Sequence, residues 1–185
     1  MSHLSDLAEL ATASDDACSA GIDKAASIIA EAFLTGHKVL ACGNGGSAAD
    51  AQHFAAEFVG RYMSERRALA AIGLSADMSI VTAVGNDYGF DRIFSRQIEA
   101  LGNPGDVLVV ISTGGMSPNL VAAVATARTL GLRIITLTGQ SAHEYLADAE
   151  VWCRVPSSHT AHIQEIEIAI LHAMCTGVDR LIGGA

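Results

Sequence analysis

Between Ala41 and Glu57 the chain reads Ala-Cys-Gly-Asn-Gly-Gly-Ser-Ala-Ala-Asp-Ala-Gln-His-Phe-Ala-Ala-Glu, and this stretch constrains the fold more than any other. Gly43, Gly45 and Gly46 separate a short apolar run, His37 to Cys42, from a proline-free, alanine-rich segment that begins at Ser47. The run predicts a buried strand and the segment predicts a helix, so the glycines form the turn between them. Glycine permits positive φ and close backbone approach, and the start of a helix offers amides that lack intrahelical partners. Such a turn either cradles a phosphorylated small molecule or merely connects strand to helix. Further along the same helix His53 and Glu57 stand four apart on one face. That spacing suits one metal ion or one substrate, and equally a surface ion pair.

The rest of the chain alternates helix and strand. Residues from about Leu4 to Thr35 predict two helices, broken near Ser19 to Ile22 where Gly21 interrupts the pattern, with Gly36 as a C-cap. After the helix from Ser47 to Tyr62 comes the polar turn Met63 to Arg67, then a second strand, Ala68 to Ile72. Asp77 to Val84 predicts a brief helix leading into Gly85-Asn-Asp-Tyr-Gly89, and Asp91 to Leu101 another. Asn103-Pro-Gly-Asp106 is turn chemistry, and Val107 to Ile111 is the clearest buried strand. Its following loop, Ser112-Thr-Gly-Gly-Met-Ser-Pro-Asn119, again joins glycines and hydroxyls to a helix, Leu120 to Leu130, with Pro118 in its first turn. Arg133 to Leu137 is a fourth strand, Ser141 to Ala147 a short helix, Glu150 to Val155 a fifth strand, and Thr160 to Ile182 a long closing helix. This alternation implies a doubly wound, five-stranded parallel sheet in one domain: an N-terminal helical segment, 1–36, ahead of an α/β core, 37–185. Ligands of such sheets bind beyond the carboxyl ends of the strands where strand order reverses, which makes the loops after strands one and three neighbours.

At 185 residues the chain supports one good core. Its longest apolar runs, near Val107 to Ile111 and Ala122 to Ala125, are too short to cross a bilayer, and its first residues lack the basic start and apolar centre of an export signal. The expectation is a cytoplasmic protein with no membrane partner. A formal charge of −9 with 11 basic residues argues against a nucleic-acid partner, Arg66-Arg67 being the sole basic doublet. Cys18, Cys42, Cys153 and Cys175 form no C-x-x-C pair and read as reduced packing residues. Trp152 reads as core. His3, His37, His143, His159 and His162 read as surface or packing histidines, and Arg61 as either a phosphate or subunit contact or a solvated charge.

Several segments, in order and at ordinary spacing, resemble the sugar isomerase (SIS) domain family, in its branch that acts on seven-carbon sugar phosphates. They are Cys42-Gly-Asn-Gly-Gly-Ser47, Ala51-Gln-His-Phe-Ala-Ala-Glu57, Gly60-Arg-Tyr62, Val84-Gly-Asn-Asp-Tyr-Gly-Phe90, Ile111-Ser-Thr113, Ile135-Thr-Leu-Thr-Gly139, and Ile163-Gln-Glu165 followed by His172. The resemblance covers roughly residues 20–180. It implies a flavodoxin-like fold, a homotetramer with sites at or near subunit interfaces, and conversion of sedoheptulose 7-phosphate to D-glycero-D-manno-heptose 7-phosphate, on the way to the heptose of lipopolysaccharide or related glycans.

Residue by residue, the resemblance implies one zinc ion per subunit on His53, Glu57, Gln164 and His172, with Glu57 and His172 also moving protons. It implies sugar contacts from Asn44, Gly45, Gly46, Ser47, Glu57, Asn86, Asp87 and Gln164, and a phosphate cradle of Ser112, Thr113, Gly114 and Ser117. Gln164 and His172, eight apart, differ by about 12 Å of rise and roughly 80° on a straight helix. They meet one ion only by reaching from either side, if Gln164 precedes the helix, or from different subunits. The third-strand loop departs from the family's usual Ser-Thr-Ser-Gly-Asn-Ser at Gly114 and Met116, and Ala161 stands where relatives often carry Asp. A lost hydrogen bond to a charged phosphate oxygen is worth about 1.5–3 kcal/mol, so weaker anchoring is expected. Other readings are a non-catalytic family member that adapts to the replication initiator, an isomerase of a shorter phosphosugar such as arabinose 5-phosphate, and a sugar-phosphate sensor. The presence of both Glu57 and His172 disfavours the adaptor.

Overall fold

The computed structural model describes residues 2–141 and 149–183. Five strands, β1 (Val39–Gly43), β2 (Ala71–Gly73), β3 (Val107–Ser112), β4 (Arg133–Gly139) and β5 (Val151–Val155), form one sheet in the order β2-β1-β3-β4-β5, with every neighbouring pair parallel. The helices are α1 (His3–Leu34), α2 (Gly46–Val59), α3 (Met78–Tyr88), α4 (Ser95–Leu101), α5 (Pro118–Thr129) and α6 (Thr160–Ile182). This is the flavodoxin-like doubly wound order, with its reversal between β1 and β3.

Alternation along the strands feeds two cores. Val39, Ala41, Val107, Val109 and Ile111 face α1, α2 and α6, while Leu40, Cys42, Leu108 and Val110 face α3, α4 and α5. Both faces of β3 are covered, and all six of its residues are buried. All four cysteines are free and buried, in keeping with packing roles. At the amino edge of the sheet the buried carboxylate of Asp106 accepts from the Lys38 backbone N–H and side chain and from the Asn103 backbone N–H, and His37 lies beside it. That one residue ties the starts of β1 and β3 together.

Four expectations need correction. The N-terminal segment is one continuous helix of 32 residues, not two broken at Gly21. A Cβ at Gly21 would stand 3.1 Å from Cys153 Sγ and 3.5 Å from Val151, so the glycine lets α1 lie close on β5. An interior glycine costs about 1 kcal/mol of helix propensity, which the burial of Cys18 and Ala25 on either side offsets. Secondly, β2 lies a few residues later than Ala68 to Ile72. Thirdly, α3 begins after Asp77, whose carboxylate accepts from the Ser79 and Ile80 N–H groups, and runs through Gly85-Asn86-Asp87 to Tyr88. The segment after it divides into a 3-10 turn, Phe90–Arg92, and the short α4. Lastly, Trp152 is half-buried rather than core, its indole N–H donating to Thr138 Oγ1 at 2.7 Å and Arg154 lying over its ring. The helix expected over Ser141 to Ala147, with His143, lies almost wholly outside the described residues.

α1 and α6 pack against each other through small residues. A Cβ on Gly177 would sit 2.6 Å from the Ala26 Cβ. Gly177→Val should therefore overpack this contact and cost about 1–3 kcal/mol of stability, measured by urea denaturation with an unchanged m-value.

Candidate active site

β1 and β3 end side by side at the reversal point, and the helices that follow them, α2 and α5, both point their N-termini into the space beyond. That space is a cleft of about 420 Å³. Asn44 and Ser47 line it from the first loop, and Ser112, Thr113, Gly114, Met116 and Ser117 from the second, with Ile111 at its floor and Gln164 from α6. None of these side chains is charged. Gly45 has φ 56°, a conformation only glycine adopts without strain, and it turns the chain so that the first amides of α2 face the cleft. Hydroxyls, backbone amides and two helix dipoles make a neutral cradle suited to a dianion. The loops are joined by a reciprocal amide pair, Asn44 Nδ2 to Asn119 Oδ1 at 3.0 Å and Asn119 Nδ2 to Asn44 Oδ1 at 2.8 Å. A side chain added at Gly114 would meet nothing within 4 Å, so the hydroxyl this chain lacks there corresponds to open space.

Farther along, α2 and α6 run side by side in the same direction. A Cβ on Gly46 would stand 2.6 Å from Gln164 Nε2, so glycine at this position admits the Gln164 amide. Two turns later His53 Nε2 lies 2.8 Å from His172 Nε2 and 3.3 Å from Glu57 Oε1. The donor atoms of His53, Glu57 and His172 all lie within 4.8 Å of one another. Zinc bonds of about 2.0–2.1 Å at tetrahedral angles set donors about 3.3 Å apart, close to the spacing of this group, and two imidazoles with a carboxylate suit that metal. The Tyr62 ring stacks on His172 with 5.4 Å between centroids, which restricts the imidazole plane.

One guanidinium holds the two helices in place. Arg66 donates to the carbonyls of Glu57 and Phe58, which end α2, and to Asp179 Oδ1 on α6 at 2.9 Å. Both side chains are almost wholly inaccessible. Burial would raise the Asp179 carboxyl, but the N–H groups of Ser64 and Met63 and the Arg66 guanidinium outweigh it and hold its pKa below the usual range.

A profile for the SIS domain matches residues 3–139. The chain belongs to the SIS domain family. It is 50% identical to a phosphoheptose isomerase of Bordetella avium over 186 residues, covering 99% of this chain and 94% of the relative. Among solved structures, a phosphoheptose isomerase of Neisseria gonorrhoeae superposes with TM-score 0.90 at 42% identity, covering 96% of this chain and 95% of that one. One from Francisella tularensis gives TM-score 0.92 at 38% identity over the same shares.

Of the positions the SIS resemblance singled out, the structure gathers Asn44, Ser47, Ser112, Thr113, Gly114, Ser117 and Gln164 in the cleft, with Gly45 and Gly46 at its edge. It gathers His53, Glu57 and His172 two turns away. Gln164 lies within α6, so it does not precede the helix. Asn86 and Asp87 are exposed in the last turn of α3, hydrogen-bonded to each other, and do not line the cleft. Arg61 is an exposed partner of Glu65. Sequence reasoning missed Asn119, Tyr62 and Arg66 as supports. Tyr62 lay within a matched segment, while Arg66 gave no signal beyond its charge.

Glu167, on α6, also escaped notice. Both its oxygens are buried without a hydrogen-bond partner among the described residues, as is Asp50 Oδ2 on α2. Burial, and then the nearby Asp50 charge, push its pKa up to about 9, while burial also raises Asp50 against the opposing influence of His53.

Arg66→Met should cost about 3–5 kcal/mol in urea denaturation, because Asp179 is left buried and unpaired. For Glu167 the folded pKa lies above the unfolded one, so the folded state binds the extra proton and stability falls as pH rises from about 4.5 to 9. Glu167→Gln should flatten that fall, gaining about 2–4 kcal/mol over the parent at pH 8 and little at pH 4, in parallel denaturation series.

Proposed function

We propose that this SIS chain is a phosphoheptose isomerase that interconverts sedoheptulose 7-phosphate and D-glycero-D-manno-heptose 7-phosphate. The observation that carries the reading is the meeting of Glu57 and His172 beside an uncharged, amide-lined cleft. The named relatives, similar over nearly their whole length, support the same substrate. So does size. Seven residues of α2 separate the first-loop end of the cleft from His53, about 10 Å of helix. An extended seven-carbon chain with its terminal phosphate spans roughly the same length, at bond lengths of about 1.5 Å.

With the phosphate on the helix N-termini and the loop hydroxyls, C1 and C2 of the sugar lie toward Glu57 and His172. The Glu57 carboxylate takes a proton from C1, and the C–H electron pair becomes the C1=C2 bond. The C2 carbonyl oxygen gains electrons and accepts a proton from the His172 imidazolium, giving an enediol. The reverse sequence at the other carbon completes the transfer. The O1 hydroxyl returns its proton to His172, C1=O forms, and Glu57 delivers its proton to C2. C1 is thereby oxidised and C2 reduced, with no net gain of protons. With Glu57 ionised and His172 neutral, these two and His53 would hold a zinc ion, which supplies polarisation of a carbonyl; each of the two acts on a proton only while it is off the metal. Ring stacking by Tyr62 keeps the imidazole facing the reacting carbons.

Assembly as a homotetramer in the cytoplasm belongs to this reading. Supporting it are the exposed apolar side chains of Met78, Ile80, Tyr88 and Phe90. A second copy covering that surface would also bring Asn86 and Asp87 to an interface, which accounts for sugar contacts from residues outside their own chain's cleft.

Incubated with a panel of ketose phosphates, the purified protein should form aldose product from sedoheptulose 7-phosphate. Glu57→Gln should abolish turnover, by at least about 10³-fold for loss of a general base, while leaving circular dichroism and assembly unchanged. Full activity in that variant would remove the proposed base, and tight binding of the sugar by the parent without turnover would favour a sensor.

A further inference from the structure

A second group of metal-ligating side chains lies where α1 and α6 begin. His3 Nε2 lies 2.8 Å from Glu165 Oε1, and His3 Nδ1 lies 3.1 Å from His162 Nε2. One ligand atom from each of the three residues falls within 4.8 Å of the other two. None of the three belongs to the His53, Glu57 and His172 group, and Glu165 precedes His172 by seven residues, about 10 Å along α6.

We propose that His3, His162 and Glu165 form a separate site for a divalent transition-metal ion of the zinc class, which pins the first turn of α1 to α6. Three features support it. His162 and Glu165 are three apart on α6 and so share a face, while His3 arrives from the other helix. Glu165 Oε2 is buried without a hydrogen-bond partner among the described residues, and a cation would satisfy it. The His159 side chain, which caps α6 by accepting from the His162 N–H, packs its ring 4.3 Å from that of His162 and limits the rotations open to it. Two imidazoles and one carboxylate favour zinc, cobalt or nickel over calcium or magnesium, which prefer oxygen ligands alone. Without an ion, neutral rings make the chain His162 N–H to His3 and His3 N–H to Glu165. A zinc ion takes only one nitrogen of His3, so it replaces one of these two contacts, and the three ligand atoms, already within 4.8 Å of one another, settle about 3.3 Å apart.

The test uses the full chain without a histidine tag, dialysed against zinc or cobalt and analysed for metal per chain. The parent should hold two ions, His3→Ala and Glu165→Gln one each, and His53→Ala/His172→Ala one. Adding His3→Ala to that double variant should remove the remaining ion, together with its zinc-dependent rise in Tm. Equal metal content in the parent and His3→Ala would overturn the site, and this comparison decides even where the double variant does not fold. Isomerase turnover tests the reading of the other site independently of this count.

Discussion

Arg66 reaches from the loop after α2 to the end of that helix and across to α6, and the geometry of the candidate site follows from this closure. A helix end leaves carbonyl oxygens unpaired and carries partial negative charge, and a guanidinium answers both. The same group neutralises Asp179, so two helices with no covalent link closer than the whole sheet are held at one separation. Glu57 is the residue whose carbonyl Arg66 takes, and His172 lies two turns before Asp179. Loss of the clamp would therefore be felt first at the distance between Glu57 and His172.

The parallel course of α2 and α6 then divides the site by function. At one end, the missing side chain of Gly46 brings Gln164 to the cleft, where amides and hydroxyls suit a phosphate. At the other, two turns on, imidazoles and a carboxylate converge. Both groups line a polar furrow between helices whose inner faces belong to one core, and the buried carboxyl of Glu167 lies near the half-buried Asp50 between those same helices. Such an arrangement is a poor contributor to stability, since the unpartnered Glu167 carboxyl in low dielectric, with another acid nearby, resists ionisation.

Much of the fold was legible because it rests on local patterning. Alternating short apolar runs and amphipathic segments, with glycine or proline between, were enough for a five-stranded parallel sheet and for the two loops at its reversal point. The failures were also local. Gly21 reads as a breaker in isolation, but a glycine facing a packed strand is a close-contact residue, and the neighbour that makes it so, Cys153, is remote in sequence. Gly85 also reads as a loop in isolation, but the helix passes through it because Asp77 starts it and Gly89 stops it. Arg66 was legible only as a charge, since its partners lie on three different segments.

The sequence by itself determined the alternation of strands and helices, the two glycine-and-hydroxyl loops at the reversal point and the titratable residue types near them, because these depend on periodicity, turn chemistry and spacing within one element. Only the tertiary structure decided that His53 and Glu57 meet His172, that Gln164 sits against Gly46, that Asn86 and Asp87 stay outside the cleft, and that His3 joins His162 and Glu165. Those contacts bring together residues remote along the chain. Their distances depend on how α1, α2 and α6 pack over one face of the sheet, through side chains that no local pattern pairs.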